Sequence, residues 1–342
     1  MKAYILNKTE AGQSFDFVEN HPMPAAGEGE VIIKIDSTSV NRVDLVMVKG
    51  YPGMQLKYPH IIGGDITGTI VELGSLTEGF SIGDRVVSYP IVLPKEQNPK
   101  FKGNEQLNDG WQYYGMHRNG SYCEYAAAAA YGLIKLPAHV TFEDAATMPV
   151  AGLTAYHGIM TVGNLQPGDV FMIWGGSGGL GCYAIQLAKA AGATVITTVG
   201  KDSKKNKLLE LGADYVFNHY TEDSAAEVRK LFPGGLDVIL DYVGPATFDK
   251  SFSLLRKNGK LMLCGMLTGM EVKLHIQQAY FRHLNINGLF LGSLGEFKDL
   301  AAMISAGKLK PQIHDILPLE QAAIGHKLMA EGEITGKVVL KN

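Results

Sequence analysis

Short apolar runs and amphipathic stretches alternate through the second half of the chain. Val170-Phe171-Met172-Ile173-Trp174 has the continuous apolar character of a strand buried on both faces. A glycine cluster follows, then a helical stretch over Leu180–Ala191 and a β-branched run over Thr194–Val199. The rhythm continues through Lys204–Leu211, Tyr215–Phe217, Glu222–Leu231, Val238–Val243, Thr247–Leu255 and Lys260–Cys264. Strand and helix in this order predict a doubly wound parallel sheet with helices on both faces. The first 125 or so residues read differently. Glu30–Asp36 and Asp65–Leu73 are dense in Val and Ile, and turn clusters such as Ala26-Gly27-Glu28-Gly29 and Ser81-Ile82-Gly83-Asp84 punctuate them. After about Leu289 the tail carries helical stretches at Glu296–Ser305 and Glu320–Ala330, and an apolar close, Lys337-Val338-Val339-Leu340, expected to return as a strand to the first domain. Pro90–Gly120 is polar and without periodicity, which predicts a functional loop or an inserted lobe.

Composition narrows the class. With 342 residues, two domains are expected at roughly 150 residues each. Apolar residues are 46% and charged residues 19%, so large cores can be buried and disorder is not indicated. Lys plus Arg number 31 against 34 Asp plus Glu, which gives no electrostatic reason for a nucleic-acid or anionic-membrane partner. No apolar run approaches the roughly 18 residues that cross a bilayer. Cys123, Cys182 and Cys264 are odd in number and far apart, forming neither a disulfide framework nor a paired metal knuckle. A soluble, cytoplasmic protein with reduced thiols is expected.

Gly176-Ser177-Gly178-Gly179-Leu180-Gly181 fits the spacing GxGxxG between an apolar strand and a helix. In that context glycines let the backbone approach a pyrophosphate, whose charge rests on the helix N-terminus. The stretch also nearly fits a nucleotide-triphosphate loop, but Cys182-Tyr183 stands where Lys-Ser/Thr would be required. At the end of the next strand, Thr197-Thr198-Val199-Gly200-Lys201 carries no acid to accept ribose hydroxyls. Lys201, Lys204 and Lys205 follow, with Ser203 among them, and such cations suit a 2′-phosphate. NADPH is therefore the expected cofactor, with Asp202 a dissonant neighbour.

Several short motifs occur in a telling order: Lys2-Ala3, Asn41-Arg42-Val43-Asp44, Gly83-Asp84-Arg85-Val86, the glycine loop, Gln186-Leu187-Ala188-Lys189, Leu211-Gly212-Ala213-Asp214 and Gly336-Lys337-Val338-Val339-Leu340. Across its whole length the chain resembles the medium-chain dehydrogenase/reductase superfamily. The resemblance implies a GroES-like β-barrel catalytic domain at 1–150 and 291–342, and a Rossmann dinucleotide-binding domain at 151–290. It implies homodimers that continue their sheets through an edge strand at Leu289–Leu291.

Zinc alcohol dehydrogenases are the main competitor within the superfamily. Their metal ligands align with Asn41, Gly64 and Val150, a set that makes no tetrahedral N/S site. Their structural-zinc lobe aligns with Pro90–Gly120, which has no cysteine, and Asp109, His117 and Cys123 fit no familiar ligand spacing. No metal is expected. What remains resembles the zinc-independent branch, quinone oxidoreductases and enoyl or alkenal reductases, whose electron-poor acceptors need no Lewis acid. Alternatives are a zinc-dependent alcohol dehydrogenase, or a crystallin-like or RNA-binding role that the charge balance does not favour.

By resemblance, Tyr51 lies near the nicotinamide, where its phenol orients substrate or supplies a proton, and Asn41 donates to a substrate oxygen or the cofactor ribose. The cofactor-binding set is Thr154, Gly176, Ser177, Gly178, Gly179, Leu180, Gly181, Gly200, Lys201, Lys204, Lys205, His219, Cys264 and Leu291, with Tyr220 beside His219 on the adenosine side. Asp65 is expected to be structural and paired with a basic side chain, and His157 to be a buried structural histidine.

Overall fold

Val170–Ile173 pairs in parallel with Thr194–Val199 on one side and Leu236–Asp241 on the other, so the chain reverses its direction of growth at this strand. The computed structural model describes residues 1–10, 12–51 and 53–342. It divides into two units, Met1–Ala151 with Ser293–Asn342, and Gly152–Gly292.

In the second unit, among the described residues, six parallel strands lie in the order Tyr215–Asn218, Thr194–Val199, Val170–Ile173, Leu236–Asp241, Leu255–Leu263, Asn285–Gly288. This is the doubly wound order, with the switch point at the carboxyl end of Val170–Ile173, where the glycine loop begins. Met172, Ile196, Ile239, Leu261, Phe248 and Phe252 fill the core between sheet and helices. The buried Trp174 Nε1–H donates to Ser251 Oγ (2.7 Å), and that hydroxyl donates to Asp241 (2.7 Å), so the indole and this hydroxyl are both satisfied.

One sequence expectation needs correction here. The edge strand is Asn285–Gly288, not 289–291. Leu289 N–H still bonds Leu263 O (2.9 Å), but Leu291 takes φ 54°, outside the extended region, and turns the buried chain away. The stretch near Lys204 is also broken, into a tight turn at Asp202–Lys204 and a helix at Lys205–Glu210.

In the first unit Glu30–Ser39 is the central strand. It pairs antiparallel with Thr67–Leu73, Tyr125–Ala129 and Lys337–Lys341. The closing strand does return to this unit, with Val339 opposite Ser39. The 90–120 lobe is held by a two-residue ladder, Ile91–Val92 with Gln112–Tyr113, and by asparagine bonds such as Asn98 N–H to Asn108 Oδ1 (2.7 Å). No helix among the described residues is long and apolar enough to cross a membrane.

Candidate functional site

In the first unit the helix Arg42–Lys49 opens at Asn41, where Asp44 reaches back to accept the Asn41 N–H (2.7 Å). The Asn41 side chain, 5% exposed, faces a buried ion pair. Its Nδ2 donates to Asp65 Oδ2 (2.7 Å) and, at 3.4 Å, to Ser39 O. Its Oδ1 accepts from Lys337 Nζ (2.5 Å), which also donates to Val40 O (2.7 Å) and lies 3.5 Å from Asp65 Oδ2. Asp65 further accepts from the Ser39 hydroxyl and from Val150 N–H (3.0 Å). Lys337 is 2% exposed and Asp65 wholly buried. Burial pulls the Lys337 ammonium below the ordinary lysine value, while Asp65 and Asp44 pull it back up. Asp65 is thus paired with a basic side chain.

A second chain of bonds leaves Asp44. The Tyr122 hydroxyl donates to Asp44 Oδ2 (3.1 Å) and lies 3.1 Å from His326 Nε2. Beside Asp65, Gly64 is closed in: a Cβ there would fall 2.2 Å from Tyr113 Oη and 3.0 Å from Val150 Cγ2. The phenol of Tyr113, carried in from the 90–120 lobe, therefore occupies the room of any side chain at position 64. Tyr51 follows Gly50, which closes the helix with φ 95°, and is half-buried. His157 is buried, as the sequence suggests.

In the second unit the glycine loop is anchored on the neighbouring strand. Gly175 N–H donates to Thr198 Oγ1 (3.0 Å), Gly176 N–H to Thr198 O (2.9 Å), and the Tyr242 hydroxyl to Gly175 O (2.7 Å). Gly176 is buried, while Ser177, Gly178, Gly179 and Leu180 are half-buried. The helix Gly179–Ala190 starts at Gly178 with no side-chain cap bond on its first turn. Gly181 is required for close packing, since a Cβ there would meet Gly176 Cα at 2.6 Å. Uncapped N–H groups at a helix start beside a close backbone turn are a donor set that suits a pyrophosphate. Gly200 lies against Tyr220 and His219, a Cβ falling 2.9 Å from the Tyr220 ring, which is 80% exposed. Lys201 is exposed and Lys204 buried. Lys205 Nζ lies 2.6 Å from Glu222 Oε1 and 3.1 Å from Asp202 Oδ1, so two carboxylates accompany the lysine cluster.

Elsewhere in the unit, Thr154 is buried on the short helix Leu153–Tyr156. Cys264 is half-buried, its thiol pushed up to about 12 by burial and by Asp241, and so it remains protonated at neutral pH. Leu291 is buried.

Two family models match the chain: "Alcohol dehydrogenase GroES-like domain" over residues 27–138 and "Zinc-binding dehydrogenase" over residues 179–306. An acryloyl-coenzyme A reductase of Sulfurisphaera tokodaii is 30% identical over 100% of both chains. A quinone oxidoreductase of Homo sapiens is 27% identical, covering 93% of this chain and 91% of its own. A solved NAD-dependent alcohol dehydrogenase superposes with a TM-score of 0.93 at 31% identity over 100% of both chains. The chain belongs to the medium-chain dehydrogenase/reductase superfamily. Its fold is the GroES-like domain joined to a Rossmann domain.

The zinc of one family model's description is a poor fit to these residues. Asn41 is bonded at both ends of its amide, Tyr113 fills the room beside Gly64, and the Val150 side chain has no donor atom for a metal. Among the described residues no group of three or more His, Cys, Asp or Glu side chains is placed to hold a metal. Lys337, Tyr113, Tyr122 and His326 escaped sequence reasoning. A lysine inside the apolar run Lys337-Val338-Val339-Leu340 was the one available sign of a buried cation.

Proposed function

We propose that this chain is an NADPH-dependent oxidoreductase that transfers hydride to a quinone or to an activated alkene (enone, alkenal or enoyl thioester) without zinc. The observation that carries the reading is the Asn41–Asp65–Lys337 network, in which Asn41 stands where the zinc enzymes would align a metal donor. The buried ammonium beside Asn41 and the Tyr113 phenol beside Gly64 speak against a Lewis acid there, which favours an acceptor that is itself electron-poor.

The residues of the second unit suit a dinucleotide. Gly176–Gly181 and the start of the helix Gly179–Ala190 would hold the pyrophosphate, with Gly200, His219 and Tyr220 on the adenosine side and Lys201, Lys204 and Lys205 toward a 2′-phosphate. Thr154, Cys264 and Leu291 belong to the nicotinamide end in this reading. The cofactor, when bound, supplies the hydride. Tyr51 provides a proton or hydrogen bond to the reduced acceptor, and Asn41 a hydrogen bond to its oxygen.

The experiment is a screen of NADPH consumption against quinones, alkenals, enones and enoyl-coenzyme A esters, alongside alcohols with NAD, on protein purified without chelator. Turnover of the first group with far less than one zinc per chain supports the reading. Likeness to a solved NAD-dependent alcohol dehydrogenase favours the second reading, and alcohol oxidation with stoichiometric zinc would establish it instead.

Homodimers are part of the proposal. Asn285–Gly288 ends the sheet, and Tyr280, Phe281, Ile286 and Phe290 around it are exposed apolar side chains. Light scattering should give twice the chain mass, and Ile286→Lys should shift it toward one.

A further inference from the structure

We propose that Lys337 is a positioning residue for the reduction: its ammonium polarises the Asn41 amide, so that the Asn41 N–H directed at Ser39 O becomes the donor to the acceptor's developing oxyanion. This rests on the zinc-independent reading above.

The hydrogen bonds fix the amide's orientation. Lysine donates only and a carboxylate accepts only, so Oδ1 must face Lys337 and Nδ2 must face Asp65. The charge state follows from the same count. Val40 O, Asn41 Oδ1 and Asp65 Oδ2 provide three acceptors for three N–H groups, and a neutral amine would present a lone pair to acceptors alone. The cation sits closer to the amide (2.5 Å) than to the carboxylate (3.5 Å), and the carboxylate is shared with Ser39 and the Val150 N–H. An amide whose carbonyl oxygen is bonded to a cation is a stronger donor at nitrogen.

Its two N–H groups are unequal. One holds Asp65 at 2.7 Å, while the contact to Ser39 O is 3.4 Å and cheaply surrendered. When hydride from the dinucleotide forms the new C–H bond at the β-carbon, the C=C π pair moves to the carbonyl oxygen as an enolate. A proton taken from Tyr51 or water then completes the α-carbon. The second Asn41 N–H is suited to that oxygen, where a preorganised donor has its greatest effect. A buried ion pair gives little net stability over apolar residues of the same volume, so its presence calls for a role beyond stability.

Lys337→Met strands Asp65 and can fail to fold, so the informative variant is Lys337→Met/Asp65→Asn, which removes both charges. We expect it to bind NADPH as the parent does, by fluorescence titration, and to lose about tenfold to hundredfold in kcat. The loss should grow across a series of enones as the acceptor becomes less electron-poor. A purely structural role would lower kcat by one factor across the series, and that result, or a kcat within twofold of the parent, overturns the proposal. If the double variant fails to fold, Lys337→Arg serves: a guanidinium stays charged without help from a neighbour, so its kcat series should retain the parent's slope, and a steepened slope overturns the proposal. A parent that reduces none of these acceptors with NADPH refutes instead the reading beneath it.

Discussion

Asp44 and His326 share one hydroxyl: Tyr122 Oη lies 3.1 Å from the carboxylate of the first and 3.1 Å from Nε2 of the second. All three are buried. Burial raises the Asp44 carboxyl to about 7, with Asp65 adding to the rise and the Asn41 N–H, Lys337 and Tyr122 opposing it. Burial lowers the His326 imidazole to about 4.

These two shifts act on stability with opposite signs. Between pH 4 and 7 the folded chain keeps the Asp44 proton and the unfolded chain does not, so this group's contribution falls as pH rises. Between pH 4 and 6.5 the unfolded chain binds a proton at His326 and the folded chain does not, so that contribution rises with pH. The two largely offset each other. Asp44→Asn removes one side of the balance, and its stability should climb relative to the parent by about 3 kcal/mol from pH 4 to 6.5. Urea unfolding of both proteins at several pH values checks this, and parallel curves would reject it.

Gly64 and Tyr113 should be energetically coupled. A methyl group at Gly64 runs into Tyr113 Oη at 2.2 Å and Cζ at 2.6 Å, a contact that Tyr113→Phe would not relieve. Gly64→Ala should cost about 1–3 kcal/mol in the parent through overpacking. Tyr113→Ala should itself cost about 3–5 kcal/mol, yet in that background Gly64→Ala should be nearly neutral because the cavity receives the methyl. Additive costs in a double-mutant cycle would show that Tyr113 does not occupy that room.

The Rossmann sheet was the most legible part of the chain. Its first strands are short apolar or β-branched runs, and burial on both faces leaves that mark in a short window; Thr194–Val199 emerged with both ends in place. The edge strand Asn285–Gly288 was misplaced because its residues are polar or exposed and carry no such mark. In the first unit the closing strand was readable, but its buried charge was not. Lys337 finds Asn41 some 296 residues away in sequence, and Tyr122 finds His326 across 204, so no local pattern links them. That positions 41, 64 and 150 are Asn, Gly and Val could be read one position at a time. What fills the space instead is a matter of packing, and the tyrosine that does so comes from a lobe with no periodicity.

Lys205 is held between Glu222 and Asp202, and Glu222 is the chief cause of its raised affinity for a proton. Two carboxylates so placed would oppose a 2′-phosphate, so Glu222→Gln should improve kcat/KM for NADPH while leaving NADH unchanged. Lys205 and Glu222 are 28% and 32% exposed, and solvent screening limits the gain to about 1 kcal/mol, or roughly fivefold. The gain should shrink with added salt. Steady-state kinetics with both cofactors decide the matter: an equal change in the two would mean that this corner does not read the phosphate.

Tyr51 provides the sharpest test of how the reduced acceptor is protonated. Its carbonyl accepts the Met54 N–H (3.1 Å), and the preceding turn is set by Gly50, so the local backbone does not depend on the phenol. Tyr51→Phe should therefore leave folding and NADPH affinity nearly unchanged. If the hydroxyl supplies the proton or a hydrogen bond, kcat with an enoyl thioester should fall by roughly 10- to 1,000-fold, the scale of one lost acid or donor. Quinone reduction should suffer less, because the hydroquinone anion left by hydride transfer takes its proton from water. Parallel kinetics on the two acceptors separate these roles. Small and equal losses would make Tyr51 a wall of the site, and would leave protonation to water and oxyanion stabilisation to Asn41 with the cation behind it.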